Sequence, residues 1–225
     1  MPKTEAFEAY SEEYEAWFET HQELYEAEIR TIQKLLLPFE HAAEIGIGSG
    51  RFALPLGIRI GIELSPKMAK MAQTKGLEVI EGFAEKLPLM DERYDFVLMV
   101  TTICFVDDAL QSLKEIYRIL KPGGFVIIGF VDKDSELGKL YEKNRRESRF
   151  YKEATFYGAK EVIGLLEESG FGEIISCQTL FGKTLEDVKT DIKEGHDEGA
   201  FIAIRGVKPP RPGKGYEASE RLMLL

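Results

Sequence analysis

Glu44-Ile45-Gly46-Ile47-Gly48-Ser49-Gly50 ends a short apolar run and sets glycine at every second position. A turn of this kind, leading from a strand toward a helix, gives the backbone room to approach a ligand. It suits a dinucleotide or a nucleoside without phosphates. The dinucleotide loop reads G-x-G-x-x-G, its third glycine lying where helix packs on strand. Here that slot is Arg51, and glycine falls one residue early, at Gly50. The pattern E-x-G-x-G-x-G therefore leaves space for an amino-acid tail and a ribose rather than for a diphosphate. A Cβ at Gly46 or Gly48 would intrude on such a ligand.

Working outward, residues 5–37 read as two helices. Phe7, Tyr10, Tyr14, Trp17, His21 and Leu24 line one face at helical spacing; the seam then shifts to Tyr25, Ile29, Ile32 and Leu36. Thr20-His21-Gln22-Glu23 reads as a capping box at the break, and Pro38 ends the second helix. Downstream, strands are expected at 41–45, 58–62, 77–80, 94–100 and 125–131. Arg51 to Leu56 has room only for a short helix, limited by Pro55 and Gly57. Ser65 and Pro66 open a helix that stops at Gly76. Asp107 and Asp108 cap another, with Leu110, Leu113, Ile116, Tyr117 and Leu120 as its buried stripe, and Lys121-Pro122-Gly123-Gly124 stops it. Strand and helix alternating in this way predict an α/β fold with a mostly parallel sheet covered on both faces. Residues 132–158 are polar and helix-prone, 158–169 form an amphipathic helix, and 174–180 and 200–207 are the last strands. Residues 182–199 read as a long surface loop, and 208–225 as an extended tail.

The totals narrow the class. The chain has 29 basic against 39 acidic residues, a formal net charge of −10, which argues against a nucleic-acid partner. Cys104 and Cys177 stand in unrelated contexts with no Cys/His cluster, so neither a disulfide framework nor a metal site is expected. The charged start has no signal-peptide core, and the longest apolar run, 96–106, falls short of the ~20 residues of a membrane helix. A cytoplasmic protein without a membrane partner is the expectation.

Glu63 stands at the end of the second strand, where a carboxylate can accept both hydroxyls of an unphosphorylated ribose. With it, five stretches follow in order: Glu44 to Gly50, Gly61-Ile-Glu63-Leu-Ser65, Gly82-Phe-Ala84-Glu85-Lys-Leu87-Pro88, Tyr94-Asp95-Phe-Val97 and Leu120-Lys-Pro-Gly-Gly124. This ordered set resembles the motifs of class I S-adenosylmethionine-dependent methyltransferases, most closely the type 11 group that contains the quinone-biosynthesis enzymes. The resemblance covers residues 10–207. It implies a Rossmann-like seven-stranded sheet, order 3-2-1-4-5-7-6 with strand 7 antiparallel, in one domain (1–207). Helices at 1–37 and an insertion at 132–158 would act as its lid.

The resemblance implies S-adenosylmethionine as cofactor and assigns residues by position. Gly46, Gly48 and Gly50 would surround its methionine part. Glu44 would support that loop and the amino group, and Glu63 would bind the ribose. Leu64 and Met68 would lie against the adenine, and Ala84 would offer its N–H to the ring. Val100 and Thr101 would present carbonyls to the amino group, while Tyr14 and Trp17 close over the cofactor. The family often has Asp at the position of Phe83; either Phe83 packs on the base or Glu85 replaces the missing carboxylate.

Methyl transfer from a sulfonium needs alignment more than acid–base help. His21, Tyr10, Tyr14, Tyr151 and Asp132 are the bases weighed, and none is singled out. Arg145, Arg146 and Arg149 could hold an anionic acceptor, but Glu142/Arg146 and Lys143/Glu147 read as paired charges on a solvated helix. The acidic balance and the absence of nucleobase-methylation motifs favour a small-molecule acceptor. The rivals are a non-catalytic binder of the same cofactor and, less favoured, an NAD-dependent oxidoreductase, whose one motif match, Tyr117-x-x-x-Lys121, closes a helix before Pro122-Gly123-Gly124 and is read as coincidence.

Overall fold

The computed structural model describes residues 4–211. Its strands are β1 (Ala42–Ile45), β2 (Ile60–Glu63), β3 (Glu78–Glu81), β4 (Tyr94–Val100), β5 (Leu120–Val131), β6 (Gly172–Thr179), β7 (Lys193–Glu194) and β8 (Phe201–Val207). They form one sheet in the order β3-β2-β1-β4-β5-β8-β6-β7. The five on the β3 side run parallel; β8 is antiparallel to β5 and β6. Without β7 the order is the expected one, with β8 as the antiparallel last strand. The addition is β7, two residues that pair with Cys177 and Gln178 and extend the β6 edge.

Period-two alternation in β4 builds a core on each face. Phe96, Leu98 and Val100 pack on one side with Phe125 and Ile127, and the rings of Phe96 and Phe125 stack 4.7 Å apart. Val97 and Met99 face the other side with Val126 and Ile128. Helices α3 (Gln22–Gln33) and α4 (Pro66–Thr74) cover the first face; α5 (Ala109–Ile119) and α7 (Ala159–Glu168) cover the second. Ser65 caps α4 by accepting the Met68 N–H, and Asp108 caps α5 through the Gln111 N–H. Among the described residues, no helix is long and apolar enough to cross a membrane.

Several local expectations need correction. The N-terminal segment is three helices, because α1 (Glu5–Ala9) and α2 (Ser11–Thr20) break at Tyr10 before α3 begins. The capping box does not form: Thr20 turns its hydroxyl back onto the Ala16 and Trp17 carbonyls. The buried stripe of α3 is Leu24, Ala27, Glu28, Thr31 and Ile32 alongside Ile29, continued by Leu35, and Leu36 is only half-buried. Residues 51–57 are turns and not a helix. In α5 the buried stripe is Ala109, Ser112, Leu113, Ile116 and Ile119. Asp108 is the N-cap, and the Asp107 N–H binds Glu85.

Lys121 to Gly124 do not merely end α5. The Gly123 N–H and Gly124 carbonyl pair with Lys208, which extends the β5–β8 ladder, and β5 starts at Leu120, where it pairs with Tyr94 of β4. The ammonium of Lys208 donates to the Tyr117 and Leu120 carbonyls at the end of α5. That ties down the first residue of the expected tail, since a cation satisfies carbonyls left open at a helix C-terminus. Residues 212–225 of that tail lie outside the described residues. The 182–199 segment holds β7 and also packs Leu185 and Val188 against the core. The 132–158 insertion is helical only at α6 (Glu136–Lys143) and one 3-10 turn, Arg145–Glu147.

Gly61 shows how tightly β2 fits beneath the glycine loop. A Cβ there would sit 2.5 Å from Ile47 and 2.9 Å from the Glu44 carbonyl. Gly61→Ala should therefore destabilise the fold by about 1–3 kcal/mol, the usual cost of overpacking. Gly164→Ala, in α7 with nothing within 4 Å of the new Cβ, should stabilise by about 0.5–1 kcal/mol. Thermal unfolding of the two variants beside the parent checks both signs.

Candidate functional site

The C-terminal ends of β1, β2 and β4 meet where neighbouring connections leave in opposite directions, the usual ligand crevice of an open α/β sheet. Gly46, Gly48 and Gly50 all take positive φ, of 71°, 55° and 82°. The loop thus needs the left-handed backbone that glycine adopts freely. Their surroundings differ. A Cβ on Gly46 would strike Thr102, and one on Gly50 would strike Leu77 behind the loop. One on Gly48 would project toward the crevice, with only the Met68 methyl nearby, at 3.4 Å. Gly46 and Gly48 line the cleft; Gly50 does not.

Glu63 braces this loop. Its carboxylate accepts the Gly48 N–H at 2.8 Å and the Leu64 and Ser65 N–H groups at 2.9 and 2.8 Å. Burial pushes its carboxyl pKa up, against the pull of those three donors. A carboxylate has about four lone-pair sites, so Glu63 retains capacity for a ligand hydroxyl. Glu44 is buried beneath the loop. Its Oε2 has no partner among the described residues, and burial followed by the Glu63 charge raises its pKa well above normal. Glu44 does not itself line the cleft, but an orphaned carboxylate oxygen beneath its loop is a place for a donor or a cation.

The remaining wall comes from two loops. Phe83, Ala84 and Glu85 form a tight turn closed by the Phe83–Lys86 bridge, and all three line the cleft. Phe83 is half exposed there, whereas a Glu85 oxygen already holds the Asp107 and Asp108 N–H groups. After β4, Thr101 has φ 49°, uncommon for a residue with a Cβ. The Val100 carbonyl accepts the Thr102 hydroxyl and the Thr101 carbonyl accepts the Cys104 thiol. Thr101 lines the cleft, as do Leu64 and Met68, and Val100 does not.

The N-terminal helices are fastened over this cleft by two carboxylates. Glu8 accepts from the Ser65 hydroxyl and the Lys67 N–H. Glu15 receives the Ser49 hydroxyl, the Arg51 guanidinium and the Lys75 ammonium. Tyr14 lies at the boundary of the cleft, where Thr101 also lines the wall. Phe7 and Phe105 flank it, with their rings 4.9 Å apart. Sequence reasoning missed Glu8, Glu15, Phe7 and Thr102. Glu8 and Glu15 carry no local signal, because the groups they bind lie far off in sequence.

A second chamber adjoins the first through Phe7, Tyr14, Thr101 and Phe105. Trp17 belongs to this chamber and not to the cleft, and stacks on His21 at 4.7 Å. Of the bases weighed from sequence, Tyr14 and Tyr151 line it. Burial pushes both phenols above their ordinary pKa, so they act as donors. Asp132 holds the Asp134 N–H, and the half-exposed Tyr10 ring lies under Arg149; neither lines the cleft or this chamber. Arg149 pairs with Glu13 and Arg145 reaches the Ala154 carbonyl. The expected helical pairs at 142/146 and 143/147 have no helix to stand on, because α6 ends at Lys143.

Known proteins bear on this geometry. A family model described as a methyltransferase domain matches residues 43–128. An uncharacterized Methanocaldococcus jannaschii protein is 43% identical over 202 residues, covering 90% of this chain and 98% of its own. A Thermotoga maritima crystal structure, described as an SAM-dependent methyltransferase and possible histamine N-methyltransferase, is 48% identical with a TM-score of 0.88. The match covers 91% of this chain and 99% of that one. A demethylmenaquinone methyltransferase from Chlorobaculum tepidum is 33% identical over 107 residues, 44% of each chain.

The latch at Glu15 makes a testable statement. Hydrogen bonds to a charged group contribute about 1.5–3 kcal/mol each. Glu15→Ala should therefore raise amide hydrogen exchange across residues 11–20 by about tenfold or more, while β4 and β5 stay protected. Unchanged exchange in that helix would mean the latch bears no load.

Proposed function

Because this chain belongs to the class I S-adenosylmethionine-dependent methyltransferases, we propose that it methylates a small molecule seated in the aromatic chamber beside the cofactor cleft. One observation carries this reading. Two cavities share the wall of Phe7, Tyr14, Thr101 and Phe105, one over the glycine loop and one enclosed by aromatic side chains.

S-adenosylmethionine is the cofactor of the family, and the residues present fit it. The space beyond Gly48 and the orphaned Glu44 oxygen favour a ligand with an ammonium end, and Glu63 favours ribose hydroxyls. In this reading Gly46, Gly48 and Glu44 hold the methionine part, with Gly50 keeping the loop packed. Leu64, Met68, Phe83 and the Ala84 N–H receive the adenine. Phe83 takes the base in preference to Glu85, whose carboxylate is engaged on the approach to α5. The carbonyls of Val100 and Thr101 would share the amino group with their present donors. Tyr14 covers the junction, while Trp17 faces the acceptor. The methyltransferase domain spans 1–207 in this reading, with 1–37 and 132–158 as covers; residues 1–3 lie outside the described residues.

When bound, the cofactor supplies an already activated methyl group. The chain's own work is alignment and exclusion of water, which can supply much of the rate. The Glu8 and Glu15 latches and the aromatic wall serve both ends. The relatives' names divide between a menaquinone precursor and, for one, possibly histamine, so they fix no common acceptor. The Tyr117/Lys121 pair has no place in this chemistry: Lys121 bonds Asp95, and Tyr117 packs on Phe171 under Lys208.

Calorimetric titration tests the cofactor half. S-adenosylhomocysteine should bind the parent protein and NADH should not. Glu63→Ala should weaken S-adenosylhomocysteine about 10- to 100-fold, as expected for lost charge-assisted hydrogen bonds. Gly48→Val should bind none, since a branched side chain is strained at that φ and enters the cleft. Parent-like affinity in both variants would place the cofactor elsewhere.

A further inference from the structure

Glu28 is 6% exposed, lies on the buried face of α3 and lines the second chamber. No hydrogen bond or ion pair of its carboxylate is found among the described residues, and burial is the one cause of its raised pKa. Buried carboxylates ordinarily have partners, because desolvating a charge without one is costly. Among the described residues no lysine or arginine lines the chamber, so an anionic acceptor would find no counter-charge there. The other carboxylate on its wall, Glu13, is held by Arg149 at 2.7 Å. The rest of the wall is largely apolar and aromatic, with Tyr14, Trp17, Tyr141 and Tyr151 presenting rings. Aromatic faces and one unpaired carboxylate together recognise an organic cation.

Resting on the reading above, we propose that the methyl acceptor is an organic amine and that Glu28 is both the anchor of its ammonium and the acceptor of its proton. An ammonium has no lone pair to offer. One N–H proton passes to the Glu28 carboxylate, leaving a neutral amine and a neutral carboxyl. The amine lone pair then forms the new C–N bond. The methyl–sulfur bond breaks, and its electron pair stays on sulfur, giving a thioether. The positive charge ends on the methylated ammonium, and the Glu28 proton leaves to solvent when product departs.

Burial alone raises the Glu28 pKa, to about 8, close to where a general base works best near neutrality. The titratable groups that face it are the phenols of Tyr14, Tyr25, Tyr141 and Tyr151. Burial raises all four, Tyr141 to about 12, so they remain protonated while Glu28 titrates.

The test measures binding to the S-adenosylhomocysteine complex and turnover with S-adenosylmethionine. The ligands are butylamine, benzylamine and phenethylamine, each beside its alcohol of equal length, with 2-naphthol and 3-phenylpropionate as phenol and anion. At least one amine should bind at least tenfold more tightly than its alcohol and be methylated. Glu28→Gln should keep the S-adenosylhomocysteine Kd within about twofold, abolish the preference for amine and lower kcat/KM at least 100-fold. No amine preference in the parent, preference for 2-naphthol or the acid, or parent-like amine turnover in Glu28→Gln would each overturn the proposal. Failure of S-adenosylhomocysteine to bind the parent would instead overturn the cofactor reading.

A second measurement needs no acceptor. A carboxyl raised from 4.5 is protonated in the fold and ionised in the unfolded chain between pH 4.5 and about 8. Its contribution to stability therefore falls as pH rises through that window. The difference in Tm between Glu28→Gln and parent should shift in favour of Glu28→Gln from pH 5 to pH 8. A difference independent of pH would show that Glu28 has a partner and is structural.

Discussion

The bond from the Gly48 N–H to the Glu63 carboxylate fixes the separation of two strand ends, and the site depends on that separation. The strands pair through Ala43 to Ile45 and Ile60 to Ile62, and the Gly46 and Ile47 N–H groups still reach the Ile62 carbonyl; Gly48 lies beyond that ladder. Glu63 reaches back to the loop and also holds Leu64 and Ser65, the entry to α4. Thr102 does the matching work from β4, its hydroxyl spanning the Val100 carbonyl and the vicinity of the Gly46 carbonyl. The loop is thus clamped from both neighbouring strands. Left-handed backbone at three alternate glycines is what lets it fit between the clamps.

The same loop is where the N-terminal helices attach. Glu15 binds Ser49 and Arg51 directly, and Tyr25 bonds the Arg51 carbonyl. The cover of the cleft is therefore keyed to the loop it covers. Arg51, which spoils the dinucleotide pattern, is the cation that makes this attachment, so one residue sets aside one ligand class and helps to close the site for another. Aromatic contacts run on from there: Phe18 packs edge-on against Tyr14, Trp17 and Tyr25, and Phe7 against Tyr14 and Phe105. Few of these residues are polar enough to bind water, which suits a chamber that must exclude it.

Local pattern revealed the sheet, because alternation in β4 and the caps at Ser65 and Asp108 are properties of adjacent residues. It also revealed the glycine loop and Glu63, since their spacing is itself the signal. What it missed depends on distant partners. The Tyr10 break has no local breaker residue to announce it, whereas the turns at 51–57 go only one step beyond the limit that Pro55 and Gly57 already set. The strand start at Leu120 requires Tyr94 of β4, and β7 requires the β6 edge. Glu28 was legible in one respect: it sits between Leu24 and Ile32 at helical spacing, the one charged residue on the buried face of α3. Reading the seam one residue away, through Tyr25 and Leu36, hid it among the exposed glutamates of the same helix.

The cavities carry a bias in charge that bears on the order of events. Glu63 and Glu85 line one cavity, with Glu44 buried beneath the glycine loop, and Glu13 and Glu28 line the other; among the described residues no arginine or lysine lines either. A low-dielectric wall with acidic groups concentrates cations. It therefore favours a sulfonium cofactor in the first cavity and an ammonium in the second. Two cations held side by side would repel each other, and an ammonium would also be inert as a nucleophile. Transfer of one proton to Glu28 removes both obstacles in the same step, since the acceptor becomes neutral and gains its lone pair. The buried carboxylate that weakens the fold is then neutral too, in the state that an apolar wall tolerates best.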